Sequence, residues 1–452
     1  MRRVLILLLI TLVITSMFSG CFSKNQEVRE DEQSNQIIGD LIIFNDNGGW
    51  NWIEDERAII HDGKLLVGSV AGFDIDEKRI GDVELAVFDL ESEQVKIIEL
   101  HDRLEYDDHN SPALIELPDG TLVAIYSSHM GIHPLSNTIF WRVSVDGVNW
   151  SNERAFIPSN NSKVAYSSLH FLEKEGYQNG TLYNFFRGYN DSYNPSIMIS
   201  NDSAQSWEVV GLLIEKLGHR PYVKYASNGI DTIHFVYTEG HPNEFDNSLY
   251  HAFLKNGTIF KSNGSLIKQL NDGPISVSDG SLIFEGDSNA VAWCADIEID
   301  IDGTPVIAYS VQINQSRHDL RYRYAFWNGQ VWQDNQIAYA GSSLYSGEDD
   351  YSGNLAIDPN DPSVIYISTN VNPVTGKDLP NSTYEIFQGK TDDYGENWDW
   401  IPLTENSTMD NIRPFVPNWD RKNTAVLWLQ GNYDKYTDYE LKVVGKIIIT
   451  PN

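Results

Sequence analysis

Ala113-Leu-Ile-Glu-Leu-Pro-Asp-Gly-Thr-Leu-Val-Ala-Ile-Tyr126 is an apolar strand, a Pro-Asp-Gly turn and a second apolar strand. Ile297-Glu-Ile-Asp-Ile-Asp-Gly-Thr-Pro-Val-Ile-Ala-Tyr309 repeats the pattern. Between such hairpins lie turns of the form Ser/Thr-x-Asp-x-Gly-x-x-Trp, fullest in Thr391-Asp-Asp-Tyr-Gly-Glu-Asn-Trp398. The unit returns about every fifty residues, a period that predicts four short strands per copy and a β-propeller. The expected fold is all-β, with seven four-stranded antiparallel blades.

The copies run from Arg57 to His101, Ser111 to Pro158, Tyr166 to Glu215, Pro221 to Leu270, Cys294 to Gly341, Ser352 to Thr404 and Arg413 to Ile449. Leu41-Ile-Ile-Phe44 precedes the first copy and is placed to pair with the last, closing the ring. Ser144-Val-Asp-Gly-Val-Asn-Trp150 is a turn one residue short, and Ser200-Asn-Asp-Ser-Ala-Gln-Ser-Trp207 has Ala204 in place of Gly. In these turns Asp caps the backbone, Gly takes a positive φ and Trp packs between sheets. They mark fold, not chemistry.

The segment before the repeats reads as a targeting signal. Met1-Arg2-Arg3 is a basic start and Val4 to Phe18 an apolar run, too short for a membrane span. Ser19-Gly20-Cys21 then resembles a lipoprotein cleavage box, with Cys21 as the lipid-bearing residue. The expected organisation is a signal peptide over 1–20, a polar tether over 21–40 and the propeller over 41–452. The protein is expected to be exported, either anchored at the cell surface through lipid alone or secreted, and monomeric. Beyond Cys21 the one remaining cysteine is Cys294, so no internal disulfide is expected.

The 452 residues carry a formal net charge of −32. That excludes a nucleic-acid partner, which needs a basic footprint.

Copies two to four interrupt this pattern with reactive side chains. Asp107-Asp108-His109-Asn110-Ser111-Pro112 precedes a first strand, and Ser127-Ser128-His129 follows a second. Tyr166-Ser167-Ser168 opens the third copy, Arg187-Gly188 ends its second strand, and His219-Arg220-Pro221-Tyr222-Val223-Lys224 opens the fourth. All sit at strand ends, which a propeller gathers around its axis.

Several motifs carry a resemblance. Trp50-x-Trp52-x-x-Asp55-x-Arg57-Ala58, Asp108-His109-Asn110-Ser111-Pro112-Ala113, Tyr183-x-Phe185-x-Arg187-Gly188, Arg220-Pro221-Tyr222-x-Lys224-Tyr225 and Tyr237-x-Glu239-Gly240-His241-Pro242 resemble the BNR-repeat family that includes seven-bladed ulvan lyases. The resemblance spans roughly Gly48 to Gly445. It implies a polysaccharide lyase that cleaves an anionic, uronate-containing chain by β-elimination. A base takes the C5 proton, an acid protonates the leaving O4, and the carboxylate must be neutralised. Arg suits the last task, and His and Tyr the proton transfers.

By the same resemblance His109 and His129 match the family's two histidines, Tyr166 its catalytic tyrosine and Arg187 its neutralising arginine. Tyr222 matches a substrate-contacting tyrosine. Arg187 is expected to bind the carboxylate with His129 assisting, while Tyr166 and His109 share the base and acid roles. Arg220 and Lys224 are expected to join Arg187, His109 and His129 in a basic funnel on the acidic body. Trp52, with Trp50 and Tyr345, is a candidate sugar platform.

No catalytic cofactor is expected. A structural zinc is implied by the resemblance, with His241, His251 and Cys294 as the candidate ligands, since a thiol near two histidines suits zinc. Asp300 and Asp302 read as a β-turn.

Two other readings share these features. A sialidase-like glycoside hydrolase would need an arginine cluster, for which Arg57, Arg220 and Arg413 are the candidates. A non-catalytic glycan-binding propeller would keep aromatic platforms without a working acid–base pair.

Overall fold

Seven antiparallel sheets follow one another along the chain in the computed structural model, which describes residues 37–73, 78–129, 136–158, 163–176, 180–189 and 193–449. The signal segment, Cys21 and the tether as far as residue 36 lie outside the described residues. No α-helix occurs among the described residues.

Each sheet is a meander whose first strand is innermost, as in Ala113–Glu116, Leu122–Ser127, Ile139–Ser144 and Arg154–Phe156 of blade 2. Second strands such as Leu122–Ser127 and Val364–Thr369 are buried at every residue, because neighbouring blades cover both faces. Their sequences are accordingly continuous apolar runs. The outermost strand of blade 1, Val95–His101, is mostly exposed and carries charges.

The ring closes as the sequence predicts. Ile42–Asn45 adds to the Asp438–Ile449 strand of blade 7, with Ile42 opposite Gly445 and Ile43 opposite Val444. Blade 4 departs from the simple pattern. Its third strand, Leu249–Lys255, pairs with Thr258–Lys261 over one half and with Ser281–Phe284 over the other.

The Asp-box turns behave as read. In blade 6 Asp393 accepts the Asn397 N–H at 2.8 Å, Gly395 has φ 89°, and the Trp398 ring meets Tyr324 of blade 5 at 5.2 Å. Ala204 takes the same left-handed place in blade 3 at φ 58°. Trp207 packs on Trp141 of blade 2. These turns all lie at one end of the ring. The starts of first strands and the ends of second strands lie at the other, which is the mouth.

Candidate active site

At the mouth, the link between the ring-closing strand and blade 1 crosses the axis. The Trp50 indole donates to the Arg413 carbonyl at 3.2 Å, and Asp55 bridges to Ser168 of blade 3. This link carries Asn51, Glu54 and Asp55, all buried, beneath the reactive side chains.

Asp107 caps the short 3-10 turn Asp108–Asn110 by accepting the His109 N–H at 3.0 Å. Its carboxylate then splits between two imidazoles. One oxygen is 2.7 Å from His109 Nδ1 and the other 2.9 Å from His129 Nδ1. The two rings stack with centroids 4.0 Å apart and planes 14° from parallel. Asp108 is braced separately by Arg413 and by the Tyr433 hydroxyl at 2.8 Å. Burial alone would raise the Asp107 carboxyl, but the facing histidines hold it below the usual carboxylate range.

The two histidines differ. His109 has both nitrogens engaged, Nδ1 on the carboxylates and Nε2 on the Asn51 amide nitrogen at 2.9 Å. Burial opposes its charge, yet Asp107 and Asp108 push it up to about 10. The Asn51 oxygen is occupied by the Ile53 N–H, so its amide group favours the neutral Nδ1–H tautomer instead. The carboxylates favour the charged ring and the amide the neutral one, because a charged His109 would set Nε2–H against the Asn51 NH2 group. His129 is lowered, first by burial and then by the charge of His109. Its side chain is 21% exposed against 4% for His109, and its Nε2 is the nitrogen left facing the cleft.

Tyr166 lies 5.6 and 5.5 Å from the two imidazoles. It sits at a register shift in its strand with φ 62°, a left-handed backbone that costs on the order of 1–3 kcal/mol for a non-glycine residue. Burial holds its phenol well above 10 despite the nearby Arg187. Arg187 is clamped between the Tyr166 and Tyr222 rings, its guanidinium carbon 4.6 and 4.4 Å from their centroids. It donates to the Tyr166 hydroxyl at 3.3 Å and the Pro221 carbonyl at 3.4 Å. Among the described residues no carboxylate forms an ion pair with it.

The structure thus brings together His109, His129, Tyr166, Arg187 and Tyr222. Other expectations change. Lys224 is 1% exposed, ion-paired with Asp55 and bonded to the Trp52 carbonyl at 2.7 Å, so it braces the floor and does not line a funnel. Trp52 is also under the floor, its indole donating to the Cys294 carbonyl and its ring edge-on to Trp293 and Tyr351. Trp50 is buried beside it, and Tyr345 is half-buried. Arg220 alone of the added cations stands at the rim, 3.2 Å from Glu244.

The expected zinc ligands do not converge. His251 Nε2 meets His234 at 3.0 Å and its Nδ1 meets Ser262 at 2.8 Å. His241 packs on Tyr222 and Trp293, with Nε2 3.4 Å from Glu348. Cys294 is buried in the core, packed in the cluster that holds Trp52, Trp293 and Tyr309. These three residues do not fit a metal. The converging donor set among the described residues is Asp107, His109 and His129. The arginines of the hydrolase reading are likewise dispersed: Arg57 on Asp55, Arg220 on Glu244 and Arg413 on Asp108.

Three residues at the site carry no assigned role in the sequence reading. Asp107 was in view as part of its motif, and an Asp two residues before a functional His is a recognisable signal. Tyr436 had none. It tips the hairpin between Asn423–Lys435 and Asp438–Ile449, sets its ring edge-on to both histidines at 5.2 and 6.0 Å, and accepts the Asp108 N–H at 3.0 Å. The third, Glu54, is fully buried with neither carboxylate oxygen hydrogen-bonded among the described residues.

Burial raises the Glu54 carboxyl from 4.5 to about 8. A native carboxyl that holds its proton more tightly than the unfolded one makes stability fall as pH rises from 4.5 towards 8. Glu54→Gln should therefore raise the thermal midpoint by a few degrees at pH 8 and leave it nearly unchanged at pH 4.5. The basis is about 1.4 kcal/mol per pKa unit. Glu56, also raised to about 8, will preserve part of the slope. Melting curves across this range check it, and an equal change at both pH values would contradict it.

A family model described as a BNR repeat-containing family member matches residues 75–340. No protein of curated function matches the sequence. Among solved structures, a PL25 ulvan lyase bound to -[GlcA(1-4)Rha3S]- is similar at TM-score 0.63 and 15% identity, over 89% of this chain and 94% of that one. A further PL25 ulvan lyase structure gives 0.64 at 14%, over 89% and 95%. The polysaccharide lyase Uly1 gives 0.58 at 11%, over 92% and 100%. At these identities the likeness is one of fold.

Proposed function

We propose, for a chain that belongs to the BNR repeat-containing family, that it is a polysaccharide lyase acting by β-elimination on a uronate-containing, ulvan-like polymer. The observation that carries this reading is Arg187, a buried guanidinium held by two tyrosine faces with no carboxylate partner among the described residues. A buried cation without a counter-ion is costly, and a substrate carboxylate would supply one. The fold shared with ulvan lyases supports the same reading.

The geometry refines the roles. His129 Nε2 takes the C5 proton, because His109 has no free nitrogen and His129 is held neutral. The electron pair forms the C4–C5 double bond and the C4–O4 bond breaks. The Tyr166 hydroxyl, still protonated at neutral pH, gives its proton to O4. Proton transfer from His129 and solvent resets the pair. Arg187 bears the charge that develops on the carboxylate. His109 and Asp107 orient His129 and position it. Export and lipid anchoring at Cys21 would place this activity at the cell surface on external polymer.

The test is to incubate the chain without residues 1–36 with ulvan and other uronate polymers, following absorbance and product mass. Unsaturated products indicate elimination, and a gain of one water indicates hydrolysis. Because His129 is lowered from 6.5, the acid limb of kcat against pH is expected below 6.5. A limb near 10 would assign the titrating base to His109 instead.

A further inference from the structure

The face opposite the mouth carries two adjoining cavities of about 440 and 470 Å³. Both fall within the roughly 300–1,000 Å³ typical of ligand sites. They share Thr304 and Trp327. Their position follows from the strand order. Asn228 and Asp302–Thr304 belong to the turns joining first and second strands of blades 4 and 5, and Tyr394 belongs to the Asp box of blade 6. All are at the end of the ring away from His109.

The first cavity has a built polar wall. The Trp332 indole donates to Ser262 at 2.9 Å, Ser262 meets His251 at 2.8 Å, and His251 meets His234 at 3.0 Å. Burial lowers both imidazoles, His234 to about 4, so the chain is neutral and ends on His234 Nε2. Trp327 stands between the cavities, backed by Trp332 at 5.5 Å. Beyond it, Phe326 and Tyr394 lie 4.7 Å apart, and Tyr394 is 64% exposed. The exposed Tyr394 ring and the half-buried Trp327, beside the neutral His234 imidazole and the charged Lys255 and Asp302, offer the stacking and hydrogen-bonding surfaces that a sugar ring uses.

We propose that this groove is a second, non-catalytic binding site for the polysaccharide, with one sugar ring on Trp327 and its hydroxyls on His234 and Thr304. The ligand class rests on the lyase reading. The site would hold the polymer while the mouth acts on another stretch, raising the local concentration of cleavable bonds.

Affinity electrophoresis in ulvan-containing gels tests it, using the chain without residues 1–36 silenced by Arg187→Ala so that the polymer in the gel is not cleaved, with the loss on replacing Trp327 or Tyr394 reporting the second site. Trp327→Ala and Tyr394→Ala should each weaken retention at least about fivefold. In the active background they should lower kcat/KM on polymer while leaving a short oligosaccharide within about twofold. Tyr394 is exposed enough to be replaced without loss of fold, which melting curves verify. Unchanged retention in folded Tyr394→Ala and Trp327→Ala proteins overturns the second site and leaves the lyase reading standing. Retention that depends on Trp327, with no unsaturated product from the parent protein, supports the second site and overturns the lyase reading.

Discussion

Arg187→Ala is expected to lower kcat/KM on a uronate polymer by about 10³-fold, with little change in the melting midpoint. In the proposed elimination an enolate-like intermediate would place negative charge on the substrate carboxylate, and removing one group that stabilises such charge costs about 10²–10³-fold. Arg187 stands at the upper end of that range because it is 6% exposed and clamped between the Tyr166 and Tyr222 rings, where its field is weakly screened. Stability should hardly suffer, since the change removes a buried cation that has no ion-pair partner among the described residues. Arg187→Lys keeps the charge but not the two-pronged donor and should recover only part of the rate. Initial rates of unsaturated product report the result. Activity within tenfold of the parent would remove Arg187 from the chemistry.

Asp107→Asn is expected to reduce kcat by about 10³-fold, within the range for general acid–base catalysis, while KM changes little. One carboxylate now accepts from Nδ1 of both imidazoles, at 2.7 and 2.9 Å. An amide has one oxygen and cannot accept both N–H groups in this geometry. One ring must then change tautomer or turn, and His129 Nε2 is no longer an aligned base. Asp107 is fully buried, so it touches no sugar directly. The substituted side chain can still accept the His109 backbone N–H, which preserves the turn. An equal loss in kcat and in melting midpoint would instead assign Asp107 a purely structural part.

Much of this architecture was legible in the chain. The spacing of strand pairs and Asp-box turns indicates seven sheets, and the placing of His109, His129, Tyr166 and Arg187 at strand ends puts them at one mouth. Strand-end membership does not tell which side chains turn down into the floor. Arg220 and Lys224 share one motif, yet Arg220 reaches the rim while Lys224 is drawn under by Asp55, 169 residues away. Trp52 is likewise claimed by an aromatic cluster whose other members, Trp293 and Tyr351, come from distant copies. Tyr436 reaches the histidines through a long hairpin, a contact no local pattern encodes. The expected metal set fails for a related reason. His251 and Cys294 lie on neighbouring copies, but one is committed to His234 and Ser262 and the other to the core.

The closure of the ring has a consequence for biosynthesis. Ile42–Asn45 cannot find its partner until Asp438–Ile449 has been translated, and contacts of such long sequence separation form slowly. The turn bearing His109 waits as well, because Asp108 is braced by Arg413, Tyr433 and the Tyr436 carbonyl. A nascent chain halted after blade 6 would hold His109, His129, Tyr166 and Arg187 and still lack an assembled site. On the proposed function, the site is thereby completed only when the last blade has been made.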